Sequence, residues 1–424
     1  MDDVVVSNSF LKGIIQIPPS KSHTLRAIIY AMLAKGESVI NNPLTSPDTQ
    51  HALKIAQTIG STYSQSENSI IISGVNGDLS SLQKKQHFFV GNSGILLRFI
   101  TALGALGHQP VRIDGDAQIQ QQRQLTDLSQ GIRQLGGSVH FENRRGYAPL
   151  TVCGPVKLRY ALIHGNDSQP VSALLLALAF SLEGGILEVR SPGETPWIDL
   201  SLSWFRRLNI PYTQQGYSSY EVPGSAKIDG FHFTVPGDFS SAAFPIVAAL
   251  ITNSELALTG LDFQDEQGDK HLITILREMG GDLEVRNGIL HVEPSQLKGI
   301  SIDVNLCIDA LPILGVAACY AQGTTCLYNG AVARTKECDR IHSLAMELKK
   351  MGALIEETTD GLIIHGSPLQ GAEVDSHGDH RMAMALIVAG FAATGSTTVK
   401  DIRCIEKTFP NFIPIFRKLG GNII

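Results

Sequence analysis

The strongest constraint on the fold of this chain is a repeat, because one pattern occurs six times along its 424 residues. Each copy opens with a small or polar turn and continues as an Ala-rich helix. An amphipathic second helix recurs at the same spacing, and in most copies two β-like runs follow it. The copies are spaced by 70 to 75 residues, too long for a solenoid, and each predicts an α/β unit of order strand, helix, strand, helix, strand, strand. The opening turns are marked by Ser20, Asn92, Asp167, Asp238, Ile308 and Asp379.

The sixth copy is incomplete, because only Asn422-Ile423-Ile424 follow the glycines that end its second helix. The β-like stretch from Val4 to Ile17 belongs to no other copy, so we predict that it completes the sixth unit. Both ends of the chain then lie in one domain. This predicts a discontinuous domain of residues 1–17 and 236–424 and a second domain of residues 18–235, with three units in each.

Composition and charge exclude several classes of protein. Apolar residues make up 43% of the chain and charged residues 17%, which predicts folded cores rather than a disordered or nucleic-acid-binding tail. The absence of a G-x-x-x-x-G-K-[ST] motif disfavours a P-loop enzyme. The six cysteines have no zinc-ligand spacing, so we expect reduced thiols and no metal. Met1-Asp2-Asp3-Val4 lacks the features of a signal peptide and no apolar stretch could span a bilayer, so we expect a cytoplasmic protein without membrane contact.

The opening turns hold most of the reactive side chains. A helix start carries partial positive charge from its unpaired N–H groups, and these turns add Lys and Arg in a chain whose net charge is −6. If the turns of the two domains face one cleft, they predict a site for a ligand with several anionic groups. These side chains belong to Lys21, Ser22, Arg26, Asn92, Arg98, Ser168, Gln169, Asp309, Asp379, His380 and Arg381.

Two carboxylates, Asp309 and Glu337, lie among these cations along the chain. A carboxylate at a helix start is commonly a cap, which is the alternative reading of Asp309. In a cationic site both would stay ionised and suit proton transfer. Glu337 belongs to a charged run, 336–340, that opens the second helix of the fifth copy. The alternative interpretation of this run is a helix start whose charged side chains are solvated.

These motifs resemble, in order and over the whole chain, those of the 5-enolpyruvylshikimate-3-phosphate synthases, a family of enolpyruvyl transferases. The resemblance implies two domains built as inverse α/β barrels, with the active site in the interdomain cleft. It implies no metal and no organic cofactor. The motifs are Pro19-Ser20-Lys21-Ser22 with Arg26, Gly91-Asn92-Ser93-Gly94 with Arg98, Ser168-Gln169, Gly237-Asp238 with Ser240-Ser241-Ala242-Ala243, Lys336-Glu337 with Asp339-Arg340, Asp379-His380-Arg381-Met382-Ala383-Met384, and Lys407-Thr408-Phe409-Pro410.

The family's reaction transfers the enolpyruvyl group of phosphoenolpyruvate to the 5-hydroxyl of shikimate 3-phosphate and releases phosphate. The resemblance makes Asp309 the base on that hydroxyl, and Glu337 with Lys21 the pair for proton transfer at the methylene carbon. The residues implied for shikimate 3-phosphate are Ser22, Arg26, Ser168, Gln169 and Lys336. Those implied for phosphoenolpyruvate are Lys21, Asn92, Gly94, Arg98, Arg123, Gln169, Arg340, His380, Arg381 and Lys407.

The chain departs from the family's pattern at several positions. Pro19 stands where Gly is usual, Asp167 where a small residue is usual, and Glu194 and Trp197 where Ser and Tyr are offered to shikimate phosphate. Ile95 follows Gly94 where Thr is common in glyphosate-sensitive members, and Phe99 stands where Pro is common. We therefore expect reduced sensitivity to glyphosate.

Two other functions compete with this one. The related enzymes that act on UDP-N-acetylglucosamine have Lys-Asn in the first loop and usually Cys near the position of Arg123, whereas here Lys21-Ser22 stand and residues 115–124 contain no Cys. A catalytically dead binding or scaffold protein would lack the acid/base pair, yet Asp309 and Glu337 are present. We expect a monomer that binds two small anionic substrates and no nucleic acid.

Overall fold

The structure is a computed structural model that describes residues 3–77, 79 and 86–424. It divides into two compact units. The terminal unit comprises Met1–Pro19 and Pro236–Ile424, and the inserted unit comprises Ser20–Val235. Met1 and Asp2, which belong to the first predicted domain, lie outside the described residues.

The elements follow the predicted alternation of helices and strands. The chain begins with strands β1 (Val4–Ser7) and β2 (Lys12–Gln16). The inserted unit continues with α1 (Lys21–Leu33), β3 (Glu37–Asn41), α2 (Pro47–Ile59), β4 (Thr62–Gln65), β5 (Ser69–Ser73), β6 (Gln86–Phe89), α3 (Gly94–Gly104), β7 (Val111–Asp114), α4 (Ala117–Gln121), α5 (Thr126–Gln134), β8 (Ser138–Phe141), β9 (Leu150–Cys153), β10 (Tyr160–His164), α6 (Ser168–Phe180), β11 (Gly185–Arg190), α7 (Thr195–Arg207), β12 (Thr213–Gln215), β13 (Ser219–Val222) and β14 (His232–Thr234).

The rest of the terminal unit repeats this order and adds short 3₁₀ segments at Gly268–Lys270, Val304–Ala310, Ala331–Thr335 and Ile402–Lys407. Its elements are α8 (Phe239–Ile251), β15 (Glu255–Thr259), α9 (His271–Glu278), β16 (Asp282–Arg286), β17 (Ile289–Glu293), β18 (Ser301–Asp303), α10 (Leu311–Cys319), β19 (Thr324–Tyr328), α11 (Arg340–Lys350), β20 (Leu354–Glu357), β21 (Leu362–His365), β22 (Glu373–Asp375), α12 (His380–Ala392), β23 (Ser396–Lys400), α13 (Phe412–Lys418) and β24 (Asn422–Ile423).

The strands of the described chain form six four-stranded sheets, three in each unit, which confirms the predicted α/β fold of six units. In each sheet the first pair of strands is parallel and the other pairs are antiparallel. The sheets of the inserted unit have the orders β14-β3-β5-β4, β6-β7-β9-β8 and β10-β11-β13-β12. Those of the terminal unit have the orders β2-β15-β17-β16, β18-β19-β21-β20 and β22-β23-β1-β24.

One part of the strand prediction is wrong. Strand β1 completes the sixth sheet as expected, because Val4 pairs with Val399 and Val6 with Ile423. Strand β2, however, pairs in parallel with β15 and forms the first strand of the fourth sheet. In the same way β14 precedes α8 in sequence but pairs with β3. A strand pattern shows that a segment is extended but does not identify a partner that is more than 190 residues distant.

The first helix of each repeat is buried on nearly all sides, as expected for a helix that is apolar all round. In α12, for example, every residue from His380 to Phe391 is buried. The second helices bury one face only, as in α11. The starts of the first helices are therefore the places where polar side chains can enter these cores.

Side chains cap five of the six first helices. Ser20, Ser93, Asp167, Asp238 and Asp379 each accept a hydrogen bond from a backbone N–H of the helix that follows. The fifth copy differs, because its α10 follows the 3₁₀ segment Val304–Ala310 and has no side-chain cap. Asp309, inside that segment, therefore leaves its carboxylate available for other partners, and its alternative role as a cap of α10 does not apply.

All six cysteines are free thiols. Within residues 3–77, 79 and 86–424, every helix is too short or too polar to cross a bilayer.

Candidate active site

The site of the terminal unit is organised around Arg340, the first residue of α11, whose side chain is 1% exposed. Its guanidinium donates to Oδ2 of Asp379 through Nε at 2.7 Å, to Oδ1 of Asp309 through Nη1 at 2.7 Å, and to Oε2 of Glu337 through Nη2 at 2.8 Å. The fork geometry of Arg suits this role, because one planar cation holds three carboxylates in fixed directions. The two predicted acid/base residues are thus brought to one side chain.

Asp309 is held on both oxygens. Arg381 donates through Nη2 to Oδ2 at 2.8 Å, while Arg340 occupies Oδ1. Burial by itself would raise the pKa of Asp309, but the charges of Arg381, Arg340 and Lys336 outweigh burial and hold that pKa far below its usual range. The side chain of Asp309 is still 22% exposed, so a ligand can reach it.

Glu337 links two cations. Its Oε2 accepts from Arg340, and its Oε1 lies 3.1 Å from Nζ of Lys407. Glu337, Lys407 and the neighbouring Lys336 are all buried. Glu337 is therefore held in a fixed position between two cationic side chains.

The start of α12 contributes three consecutive residues to this cluster. Asp379 accepts from the backbone N–H of Arg381 at 2.8 Å while it also accepts from Arg340. His380 is buried, with Nδ1 at 3.5 Å from Oδ1 of Asp379. Nη1 of Arg381 is buried and makes no hydrogen bond within the part of the chain that the structure describes. This donor is available for an anionic ligand.

In the inserted unit, Arg26 lies on the first turns of α1, where Lys21 is the first helical residue. The guanidinium donates to Oγ of Ser201 from Nε and Nη2, at 3.2 and 2.9 Å, and Nη1 donates to the carbonyl of Ser22 at 3.2 Å. The ring of Phe99 supports it at 5.3 Å. Burial lowers the pKa of Arg26 to about 10, so the side chain is cationic at neutral pH.

A second cationic group lies at the start of α3. Arg98 donates through Nη2 to the carbonyl of Gln124 at 3.0 Å, and this atom lies 3.4 Å from Oδ2 of Asp167. Both Arg98 and Arg123 are buried beside Gly94, where an added Cβ would lie 3.1 Å from Nη1 of Arg98 and 3.4 Å from Cζ of Arg123. A side chain at position 94 would therefore crowd the two guanidinium groups that approach this helix start.

The start of α6 carries the predicted pair Ser168 and Gln169. The backbone N–H of Gln169 donates to Oδ1 of its cap Asp167 at 3.0 Å. The backbone N–H and Oγ of Ser168 both donate to Oε2 of Glu194, at 2.9 and 3.0 Å. Trp197, on α7, is 9% exposed.

Sequence reasoning missed several residues of these clusters. Ser201 holds Arg26, and Gln118 accepts a hydrogen bond from Nδ2 of Asn92. Buried Asp269 accepts from Oγ of Ser240; burial and then the charge of Asp309 raise its pKa. Its place before the second helix of its copy, equivalent to that of the 336–340 run, is the signal that could have identified it.

The predicted residues thus form clusters within each unit. Asp309, Glu337, Arg340, Arg381 and Lys407 are directly joined in the terminal unit. Among the described residues, no group of three or more His, Cys, Asp or Glu side chains is arranged to hold a metal ion.

Comparisons with known proteins identify the family of this chain. Residues 5–416 match the family model of EPSP synthase (3-phosphoshikimate 1-carboxyvinyltransferase). The 3-phosphoshikimate 1-carboxyvinyltransferase of Chlamydia caviae is 41% identical over 420 residues, which cover 99% of this chain and 94% of that protein. The enzyme of the same name from Chlamydia pneumoniae is 42% identical, with the same coverage.

Solved structures give the same result. The EPSP synthase of Acinetobacter baumannii superposes with a TM-score of 0.81 at 27% identity, covering 100% of this chain and 99% of that one. A second structure of the enzyme from that organism has a TM-score of 0.79. The chain therefore belongs to the EPSP synthase (3-phosphoshikimate 1-carboxyvinyltransferase) family.

Proposed function

We propose that this protein transfers the enolpyruvyl group of phosphoenolpyruvate to the 5-hydroxyl group of shikimate 3-phosphate, the reaction of EC 2.5.1.19 in aromatic amino acid biosynthesis. Membership of the family supports this reaction. The observation that carries it is the array around Arg340, in which Asp309 and Glu337 both accept hydrogen bonds from this guanidinium and the neighbouring cations hold the pKa of Asp309 far below its usual range. Such an array suits proton transfer on substrates that are themselves polyanions.

The proposed chemistry is addition followed by elimination. Asp309 takes the proton of the 5-hydroxyl as its oxygen forms a bond to C2 of phosphoenolpyruvate, and C3 takes a proton from the pair Glu337 and Lys21. The tetrahedral adduct then loses inorganic phosphate and one C3 proton to form the enol ether. All atoms balance without an oxidant, a reductant or a cofactor.

The low pKa of Asp309 makes it a weak base while Arg340 and Arg381 keep their present contacts. An anionic substrate on either guanidinium would withdraw positive charge from Asp309. The pKa of the carboxylate would then rise toward the range in which a base is effective. In this proposal, substrate binding itself activates the base.

The proposal includes the two predicted domains, one of residues 1–17 and 236–424 and the other of residues 18–235. It assigns substrate-binding residues to both. Buried and half-buried cations and hydrogen-bonding side chains support these assignments. The residues assigned to shikimate 3-phosphate are Ser22, Arg26, Ser168, Gln169 and Lys336. Those assigned to phosphoenolpyruvate are Lys21, Asn92, Gly94, Arg98, Arg123, Gln169, Arg340, His380, Arg381 and Lys407.

The proposal extends to a cytoplasmic monomer that does not bind nucleic acid. The net charge of −6 supports the last point, because nucleic-acid-binding proteins are usually basic. Light scattering on the purified protein tests the monomer, and a larger mass would contradict it.

The decisive experiment measures release of inorganic phosphate from phosphoenolpyruvate with shikimate 3-phosphate as acceptor. The matched reaction uses UDP-N-acetylglucosamine, and a third reaction has no acceptor. We expect release with shikimate 3-phosphate only. Release with UDP-N-acetylglucosamine instead would assign the protein to the other enolpyruvyl transfer, and no release with either acceptor would contradict an enzymatic function.

A further inference from the structure

The N-terminal end of α6 is occupied by carboxylates of the protein itself. Oε2 of Glu194 accepts from the backbone N–H of Ser168 at 2.9 Å and from its hydroxyl at 3.0 Å. Asp167 accepts from the next backbone N–H, that of Gln169. Glu194 is 1% exposed, so its contact with Ser168 is made out of water. The first N–H groups of α6, which would favour an external anion, are therefore already used.

The backbone of Glu194 has an unusual conformation. Its φ is 46° and its ψ is 39°, in the left-handed region that a side chain such as Glu seldom adopts. Glu194 stands at the cap position of α7, yet its side chain makes no capping hydrogen bond to that helix and contacts the start of α6 instead. A buried, strained residue of this kind is retained where the surrounding structure holds it, and such positions cluster at ligand sites.

The hydroxyl of Ser168 has one proton to donate. In the observed contact that proton goes to Oε2 of Glu194. A phosphate group also requires donors. Ser168 cannot donate to Glu194 and to a phosphate at the same time, and two anions at one helix start repel each other.

Resting on the proposed function, in which Ser168 binds shikimate 3-phosphate, we propose that Glu194 is a specificity-determining residue. Its carboxylate competes with the substrate's phosphate group for Ser168 and the start of α6. The phosphate displaces the carboxylate when the substrate binds. The affinity for the phosphorylated substrate is lowered by this competition, whereas shikimate without its phosphate does not meet it.

The test compares the dissociation constants of shikimate 3-phosphate and shikimate for three proteins by calorimetry. Glu194→Gln removes the charge and keeps the shape. Glu188→Gln is the control, because Glu188 lies on the preceding strand β11 and accepts from the hydroxyl of Tyr160 at 2.7 Å. We expect Glu194→Gln to bind shikimate 3-phosphate at least about tenfold more tightly, because a like-charge contact is removed, and to bind shikimate unchanged. Glu188→Gln should match the wild type for both ligands.

A second variant, Glu194→Asn, shortens the side chain and favours the left-handed backbone, so it should shift affinity in the same direction even if Glu194→Gln does not fold. Unchanged or weaker binding of shikimate 3-phosphate by the folded variants would overturn the proposal. An equal gain in affinity for shikimate and for shikimate 3-phosphate would also overturn the proposal, because Glu194 would then compete with the carboxylate group that both ligands carry. Suppose that the wild type releases phosphate with shikimate 3-phosphate, but the Glu194 variants have the same ratio of affinities for shikimate 3-phosphate and shikimate as the wild type. Only this inference then fails. If the wild type releases none, the proposed function fails as well.

Discussion

Nη1 of Arg340 lies 2.7 Å from Oδ1 of Asp309, and this ion pair joins residues 31 positions apart in the chain. The guanidinium is almost fully buried, whereas the carboxylate retains some exposure. Arg340 thus fixes the direction of a group that a ligand can reach. The same cation also holds Glu337 and Asp379, so changes at this point affect the whole site of the terminal unit.

Arg340→Lys should abolish activity and destabilise the terminal unit. A lysine ammonium is a point charge that cannot reach three carboxylates in the directions the guanidinium does. Removing a partner from a buried ion pair costs about 3 to 5 kcal/mol, which urea unfolding would measure. Arg286→Lys is the control, since Arg286 makes an exposed pair with Glu284 and its replacement should leave stability and phosphate release unchanged. Wild-type activity in Arg340→Lys would contradict the assigned role.

Asp309→Asn should reduce turnover while the fold persists. The amide keeps the size of the carboxylate but cannot take a proton from the substrate hydroxyl. We expect kcat for phosphate release to fall by about 10²- to 10⁴-fold, the usual contribution of a general base. The circular dichroism spectrum and the melting transition show whether the variant is folded. Full activity in a folded variant would remove Asp309 from the mechanism.

Asp269→Asn should alter the pH dependence of stability. Because burial and then the charge of Asp309 raise the pKa of Asp269, the folded protein retains this proton more tightly than the unfolded chain does. That stabilisation is present below the ordinary pKa of an Asp and is lost as the pH rises through the raised value. The variant carries no such group and does not lose this stabilisation. The free energy of unfolding of the variant minus that of the wild type should therefore rise between about pH 5 and about pH 8.

Unfolding by urea at these two pH values measures that difference. Asp262→Asn, which removes an exposed carboxylate from the turn that precedes the 3₁₀ segment Gly268–Lys270, serves as the control. An equal difference in the free energy of unfolding between Asp269→Asn and the wild type at both pH values would show that Asp269 does not titrate in this window.

Ile95→Thr should make the protein more sensitive to glyphosate. Ile95 is 8% exposed in the first turn of α3, directly after Gly94, which packs against Arg98 and Arg123. A branched apolar side chain at this point leaves less room for an analogue bulkier than phosphoenolpyruvate. The inhibition constant for glyphosate, measured beside KM for phosphoenolpyruvate, tests this expectation. Equal constants for the two proteins would refute it.

The sequence alone determined the repeat, the fold class and most helix starts. Hydroxyl or carboxylate caps such as Ser20 and Asp379 act on the next turn of the chain, so their signals are local and can be read in order. Helix amphipathicity likewise depends on neighbours three or four residues away. The family motifs were visible for the same reason, because each is a short run at one helix start.

Only the tertiary structure decided which distant segments meet. The partner of β2 is β15, and Arg340 meets carboxylates from positions 309 and 379. Glu194, by its contact with Ser168, occupies a helix start for which the sequence predicted an external anion. The physical reason is that propensity, capping and periodicity act over a few residues, whereas pairing across 26 or more residues depends on how the whole chain packs.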